Sequence, residues 1–144
     1  VHHALELYRG RECVFVSDSR WIYPLFEAAD FLRSADLVPK EVQARDRVVG
    51  RAAALVHVYL AVGSVHAGLL SRGGRSVLEA HRVPVIFDRV VDRVGCQTEE
   101  ILADVLDPER AWRLLRQRAG LEGEKSSSGT GTSAGRGGRR TWGS

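Results

Sequence analysis

Residues 42–71 read VQARDRVVGRAAALVHVYLAVGSVHAGLLS, and the fold turns on how this stretch is divided. A short strand with polar edges runs to Asp46, the backbone turns at Gly50, and a nearly all-apolar helix follows. Gly63 is expected to stop that helix, and a second strand covers residues 65–70. Strand, helix and strand make a crossover unit. From Ala52 to Val62 the only polar groups are His57 and the Tyr59 hydroxyl, so this helix must be covered on most sides. In open parallel sheets, ligands gather beyond the carboxyl ends of strands, where helix N-termini present N–H groups. The turn from Asp46 to Arg51 is therefore the place to expect chemistry.

Outward from the crossover, the chain alternates strands and helices. Residues 4–8 and 13–16 are β-prone runs around Gly10-Arg11, the pattern of a hairpin. Ser17-Asp18-Ser19-Arg20 offers capping side chains before Pro24, and Ile22, Leu25, Phe26, Ala29 and Leu32 follow at helical spacing. Gly73-Gly74 introduces a short helix over residues 75–81. A strand over residues 83–87 comes next, with Pro84 near its start, and residues 88–97 read as an irregular loop. Thr98 can cap a helix over residues 99–106. Asp107-Pro108 starts another helix, with Trp112 and Leu115 on its apolar stripe and Gly120 at its end. This order predicts an α/β domain of about five strands that opens with a β-hairpin, with helices on both faces of the sheet.

With 144 residues, 44% hydrophobic and 27% charged, the chain suits one soluble domain over residues 1–122. Residues 123–144 are Ser, Gly, Thr and Arg without periodicity, and read as a disordered tail. In that tail Lys125, Arg136, Arg139 and Arg140 stand against Glu124, a balance equal to the whole chain's net charge of +3. The domain itself is neutral, so at most a weak, nonspecific, salt-sensitive nucleic-acid contact through the tail is expected. No apolar run is long enough to span a bilayer, so no membrane is expected and a cytoplasmic location follows by default. Composition leaves the oligomeric state open.

Asp46 could hold a ligand hydroxyl or amine, or act as a base; it could equally cap its own helix or pair with Arg47 or Arg51. Gly50 would allow close backbone approach or a positive φ. Arg47 and Arg51 could hold an anion at the helix N-terminus, or simply face solvent. Cys96 precedes a helix N-terminus with Arg93 nearby, and both features favour a thiolate nucleophile. With no second cysteine or histidine at a local spacing, an inert loop thiol is the other reading. Cys13 reads as a small buried strand residue. The five histidines, His2, His3, His57, His66 and His81, form no metal signature, and no cofactor is expected. The scattered Trp21, Trp112 and Trp142 form no base-stacking platform.

Three segments resemble, in order, the signature stretches of a small prokaryotic family of unknown function with a cytidine deaminase-like fold. They are Ser17-Asp-Ser-Arg-Trp-Ile-Tyr-Pro24-Leu25, Ala44-Arg-Asp46-Arg-Val-Val-Gly50-Arg-Ala-Ala-Ala54 and Arg93-Val-Gly-Cys96-Gln-Thr-Glu99. Gln97 stands where that family typically has proline. The resemblance implies a three-layer α/β/α sandwich around a mixed five-stranded sheet, but not deamination. The positions that carry zinc ligands in deaminases hold Ser17-Asp18-Ser19 and the segment from Val48 to Ala54 here. What remains is a crevice in which Asp18, Asp46 and Cys96 converge, with Ser17, Arg47, Gly50 and Arg51 as further ligand contacts. Its occupant would be a small polar or nucleotide-like molecule, with Asp46 and Cys96 as candidate catalytic groups. The alternative is a non-catalytic interaction or regulatory domain.

Deleting residues 123–144 is expected to leave the melting temperature unchanged, because such a segment buries nothing. A loss of several degrees in a thermal melt would show that Trp142 docks on the domain.

Overall fold

Val42, Ala44 and Asp46 alternate with Gln43, Arg45 and Arg47 along one strand, and side chains on a strand point to opposite faces in turn. That alternation, carried across the pairing register, sorts the sheet into two chemically different faces. The computed structural model describes residues 2–94, 102 and 104–120. In chain order the elements are β1 (Leu5–Arg9), β2 (Glu12–Ser17), α1 (Tyr23–Ser34), a 3-10 turn (Pro39–Glu41), β3 (Val42–Val49), α2 (Arg51–Leu60), β4 (Ser64–Ser71), α3 (Arg72–Ala80), β5 (Val85–Val91) and α4 (Pro108–Ala119). The five strands form one mixed sheet in the order β2-β1-β3-β4-β5. β1 is antiparallel to β2 and β3, and β3, β4 and β5 are parallel. The expected α/β fold and opening hairpin are therefore present, with Gly10 at φ +64° in the hairpin turn.

Two rows of cross-strand neighbours define the faces. Ser17, Leu5, Asp46, Ala67 and Phe87 lie in one row across all five strands. Val16, Glu6, Arg45, His66 and Ile86 form the next, on the opposite face. The first face carries the crossover helices. Phe31 of α1 meets Phe15 with ring centroids 5.3 Å apart, His57 of α2 reaches Asp46, and Arg75 of α3 lies over Phe87. α4 stacks outside α2: Trp112 lies edge-on to Phe26 and flat on Tyr59, centroids 4.9 Å apart in the second case. The uniform apolarity of α2 follows from this position between the sheet and α4.

Several expectations change. A helix layer on each side of the sheet is not seen among the described residues, because three successive crossovers in the same direction put α1, α2 and α3 on one face. β3 runs on to Val49 instead of ending at Asp46, since Val48 and Val49 pair with Leu69 and Leu70 of β4. β5 covers Val85–Val91, taking in residues read as loop, because parallel pairing to β4 offsets their weak alternation. α2 ends at Leu60 with Ala61 left-handed at φ 64°, two residues before Gly63. Gly63 instead permits close backbone approach, since a Cβ there would lie 1.9 Å from the Lys40 carbonyl oxygen. α1 takes no cap from Ser17, Asp18 or Ser19, whose side chains are engaged elsewhere. Cys13 is exposed on β2, an edge strand.

Other readings hold. Asp107 caps α4 by accepting from Glu109 N–H, while α3 spans Arg72–Ala80 instead of residues 75–81, because Ser71 caps it by accepting from Gly74 N–H. Gly120 closes α4 in the left-handed region. Cys96, residues 123–144 and half of the expected helix over residues 99–106 lie outside the described residues, and the described ones, 102 and 104–106, are not helical. No helix among the described residues is long and apolar enough to cross a membrane.

Leu55 is fully buried on α2. Leu55→Ala is expected to cost about 2–5 kcal/mol in urea unfolding. Gly63→Ala should cost about 1–3 kcal/mol or more, because backbone rather than a flexible side chain must give way. A loss below about 1 kcal/mol at both positions would contradict this packing.

Candidate functional site

A histidine inside an otherwise apolar helix must find a partner or leave polar atoms stranded. His57 is fully buried, and its Nε2 lies 2.8 Å from Asp46 Oδ2. Asp46 sits in mid-strand on the helix-bearing face, beside the small Ala67 of β4, which leaves room for the ring. Among the described residues His57 Nδ1 has no hydrogen-bond partner. The arrangement fixes the tautomer by elimination. Nε2–H donates to the Asp46 carboxylate, and Nδ1 remains a bare lone pair, since a buried unpaired N–H would cost more.

Asp46 is also the floor of a cleft of about 470 Å³. Its walls come from the loop after β2 and from the ends of β3 and α2, and include Asp18, Ser19, Arg20, Trp21, Arg47, Val48 and Ala53. Trp21 is 43% exposed and Val48 42%, so the mouth is apolar while the floor is charged. Trp21 also has φ 58°, a conformation uncommon for a bulky residue and one that stores strain.

The loop is held by its own polar residues. Glu27 of α1 accepts from the Ser17 and Ser19 hydroxyls, and Ser17 Oγ in turn accepts from Ser19 N–H. Asp18 Oδ2 lies 2.7 Å from His3 Nδ1, and Oδ1 accepts from Ala4 N–H at 3.0 Å. The His3 hydrogen bond first, and then the Ala4 N–H, hold the Asp18 carboxyl below its usual pKa. Arg47 donates to the His2 carbonyl at 2.7 Å and lies 3.8 Å from Asp18. The first residues of the chain are thus tied down at the edge of the cleft.

The structure brings together Asp18, Asp46 and Arg47 of the expected site residues. It does not deliver the rest as expected. Asp46 lies within β3, not in a strand-to-helix turn, because β3 runs three residues past it. Ser17 is buried and committed to Glu27. Gly50 is the N-cap of α2 with φ −95°, an extended backbone and not a positive φ. Arg51 does not face an anion site: its guanidinium donates to the carbonyls of Leu102 and Val105 and fastens that segment. Cys96 lies outside the described residues. Sequence reasoning missed His57, Trp21 and Val48, although a lone imidazole among the apolar residues of α2 was the available signal. No group of three or more potential metal-ligating side chains occurs among the described residues.

The model of a domain family of unknown function, TM1506 or DUF1893, matches residues 3–119. The chain belongs to the DUF1893 family. A crystal structure of a DUF1893 family protein (TM1506) from Thermotoga maritima superposes with a TM-score of 0.70 and 21% identity, covering 80% of each chain. At that identity the DUF1893 likeness is one of fold alone. Comparison with curated proteins finds no match.

Two measurements check this geometry. A double-mutant cycle on Asp46→Asn and His57→Phe should give a coupling of about 0.5–3 kcal/mol, whereas independent residues would add. Asp18 has a folded pKa below its ordinary 3.8, so its contribution is present above that pH and fades as pH falls through the folded value. The stability gap between the natural chain and Asp18→Asn should therefore be present at neutrality and close in acid, read by urea unfolding at a series of pH values.

Proposed function

We propose that this DUF1893 domain binds a small polar molecule, nucleotide-like in having a flat ring and hydrogen-bonding groups, in the cleft above Asp46. The observation that carries the reading is a buried carboxylate, oriented by a buried imidazole, on the floor of a cleft with an exposed tryptophan at its mouth. Burying a carboxylate is costly, and an acid kept at the base of a cleft is a common device for ligand recognition. The volume of about 470 Å³ suits such a ligand. Trp21 would stack on its ring, Asp46 would accept from an amine, amide or hydroxyl, and Arg47 would face an anionic group. Asp46, with His57 as its positioning partner, is also the candidate general base should the domain catalyse a reaction.

The cytidine deaminase-like assignment belongs to the same proposal. Its support is the three-segment resemblance, together with a hairpin followed by parallel crossovers in one sheet. The Asp18 and Asp46 segments of that resemblance do line one cleft. The zinc-site positions hold Ser17, Asp18, Ser19 and apolar α2 residues, so the proposal includes ligand binding without zinc-dependent deamination. A second reading, a non-catalytic interaction domain, draws support from the exposure of Trp21 and Val48 side by side. An apolar side chain of a partner would fit there instead of a ring.

Titration with nucleosides and nucleotides, followed by tryptophan fluorescence, tests the proposal. A saturable change is expected in the natural chain, absent in Trp21→Phe and weakened at least about tenfold in Asp46→Asn. No response to any of these compounds, or one unaffected by Asp46→Asn, would favour the interaction domain.

A further inference from the structure

The opposite face of the sheet carries a second cavity, of about 460 Å³, that the proposed cleft does not use. Its floor is the row Val16, Glu6, Arg45 and His66, joined by Tyr8 from the adjacent row. Glu6 is only 6% exposed, a nearly buried carboxylate in the middle of a sheet face. Among the described residues its one hydrogen bond comes from His3 N–H, at 3.3 Å. Arg45 is its direct cross-strand neighbour on β3, yet no ion pair joins them. The Arg45 guanidinium instead lies flat over the Tyr8 ring, 3.7 Å from its centroid, and donates through Nε to Gln43 Oε1 at 2.8 Å. Its terminal amino groups donate to no described residue.

Adjacent opposite charges in a half-dry site normally neutralise one another. Here the Tyr8 stack and the Gln43 bond hold the guanidinium in a fixed plane and keep the two groups apart. One acceptor and one pre-oriented double donor thus face the same cavity with unused capacity. A carboxylate fits the donor pair, since guanidinium and carboxylate match in a planar bidentate fork. A protonated amine fits Glu6. Val16, 46% exposed, adds an apolar wall beside them.

We propose that this face binds a small zwitterion of the α-amino acid class with an apolar side chain. Its carboxylate lies on Arg45, its ammonium on Glu6 and its side chain against Val16. Carboxylate and ammonium sit on one carbon in such a ligand, which matches two residues directly opposite on neighbouring strands. The site lies on the opposite face of the sheet from the Asp46 cleft.

The test uses L-leucine as the probe on the whole chain, with binding followed by calorimetry and by amide NMR shifts. Isocaproate, which lacks the amine, and isoamylamine, which lacks the carboxylate, serve as half-ligands. L-leucine should bind saturably, with shifts confined to β1, β2, β3 and β4, and each half-ligand should bind at least about tenfold more weakly. Glu6→Gln and Arg45→Lys should each weaken L-leucine at least about tenfold. Thermal melts confirm that the variants fold, and Arg45→Lys, which keeps the charge, serves if Glu6→Gln does not. The proposal is overturned if L-leucine gives no saturable shift at millimolar concentration. Isocaproate binding as tightly as L-leucine, or shifts confined to the loop after β2, would overturn it too.

Discussion

The hydrogen bond between Asp46 and His57 ties the central strand to the central helix, and the surrounding structure follows from it. His57 is fully buried and Asp46 nearly so, so little of what either would lose without the other can be recovered from water. The pair therefore specifies how α2 rotates on the sheet and which face of β3 turns inward. Rotated otherwise, α2 would bury an imidazole against hydrocarbon alone. A slip of one residue in β3 would send Asp46 outward and bring Arg45 or Arg47 into the core. From Ala52 to Leu60 the rest of α2 is apolar apart from the Tyr59 hydroxyl, and it packs on the sheet beneath, α1 and α3 alongside and α4 above.

Register does the remaining sorting. Asp46 and Arg45 are adjacent in sequence, yet they belong to different sites on different faces. Asp46 looks into a cleft framed by the loop after β2. Arg45 lies flat on Tyr8 across the other side, next to Glu6. A period of two residues is enough to separate two polar environments by the thickness of a sheet. His3 and Asp18 are the contact between them: His3 borders the cavity on the back face, Asp18 borders the cleft, and their side chains are hydrogen-bonded. Close approach of backbone is the other constraint. Gly63 lies against the Lys40 carbonyl, and Gly74 would place a Cβ 2.9 Å from the carbonyl oxygens of Val49 and Gly50. These contacts set how tightly each crossover returns to the sheet.

Local pattern determined the hairpin, the central strand–helix–strand unit, the depth at which α2 is buried, and both ends of α4 through Asp107 and Gly120. Those features rest on neighbours in sequence: capping side chains, turn glycines and the spacing of apolar residues. Strand ends were less legible. Val48, Val49 and the segment from Asp88 to Val91 gain their strand character from pairing with β4, which no local window contains. Local pattern suggested helices on both faces, and among the described residues it is the sheet order, with successive crossovers in one direction, that puts α1, α2 and α3 on one.

Of the candidate site, the sequence by itself marked Asp46, Asp18 and Arg47, because acidic and basic residues near strand ends and helix starts stand out. Only the tertiary structure decided what each of them does. It joined Asp46 to His57 across eleven residues, gave Ser17 to Glu27, and turned Arg51 toward the carbonyls of Leu102 and Val105. It also stood Trp21 at the mouth of the cleft and held Arg45 away from Glu6. The physical reason is the same throughout. A side chain's type states what it can bond to, but its partner is set by long-range packing of strands and helices, where separation along the chain carries no information about distance.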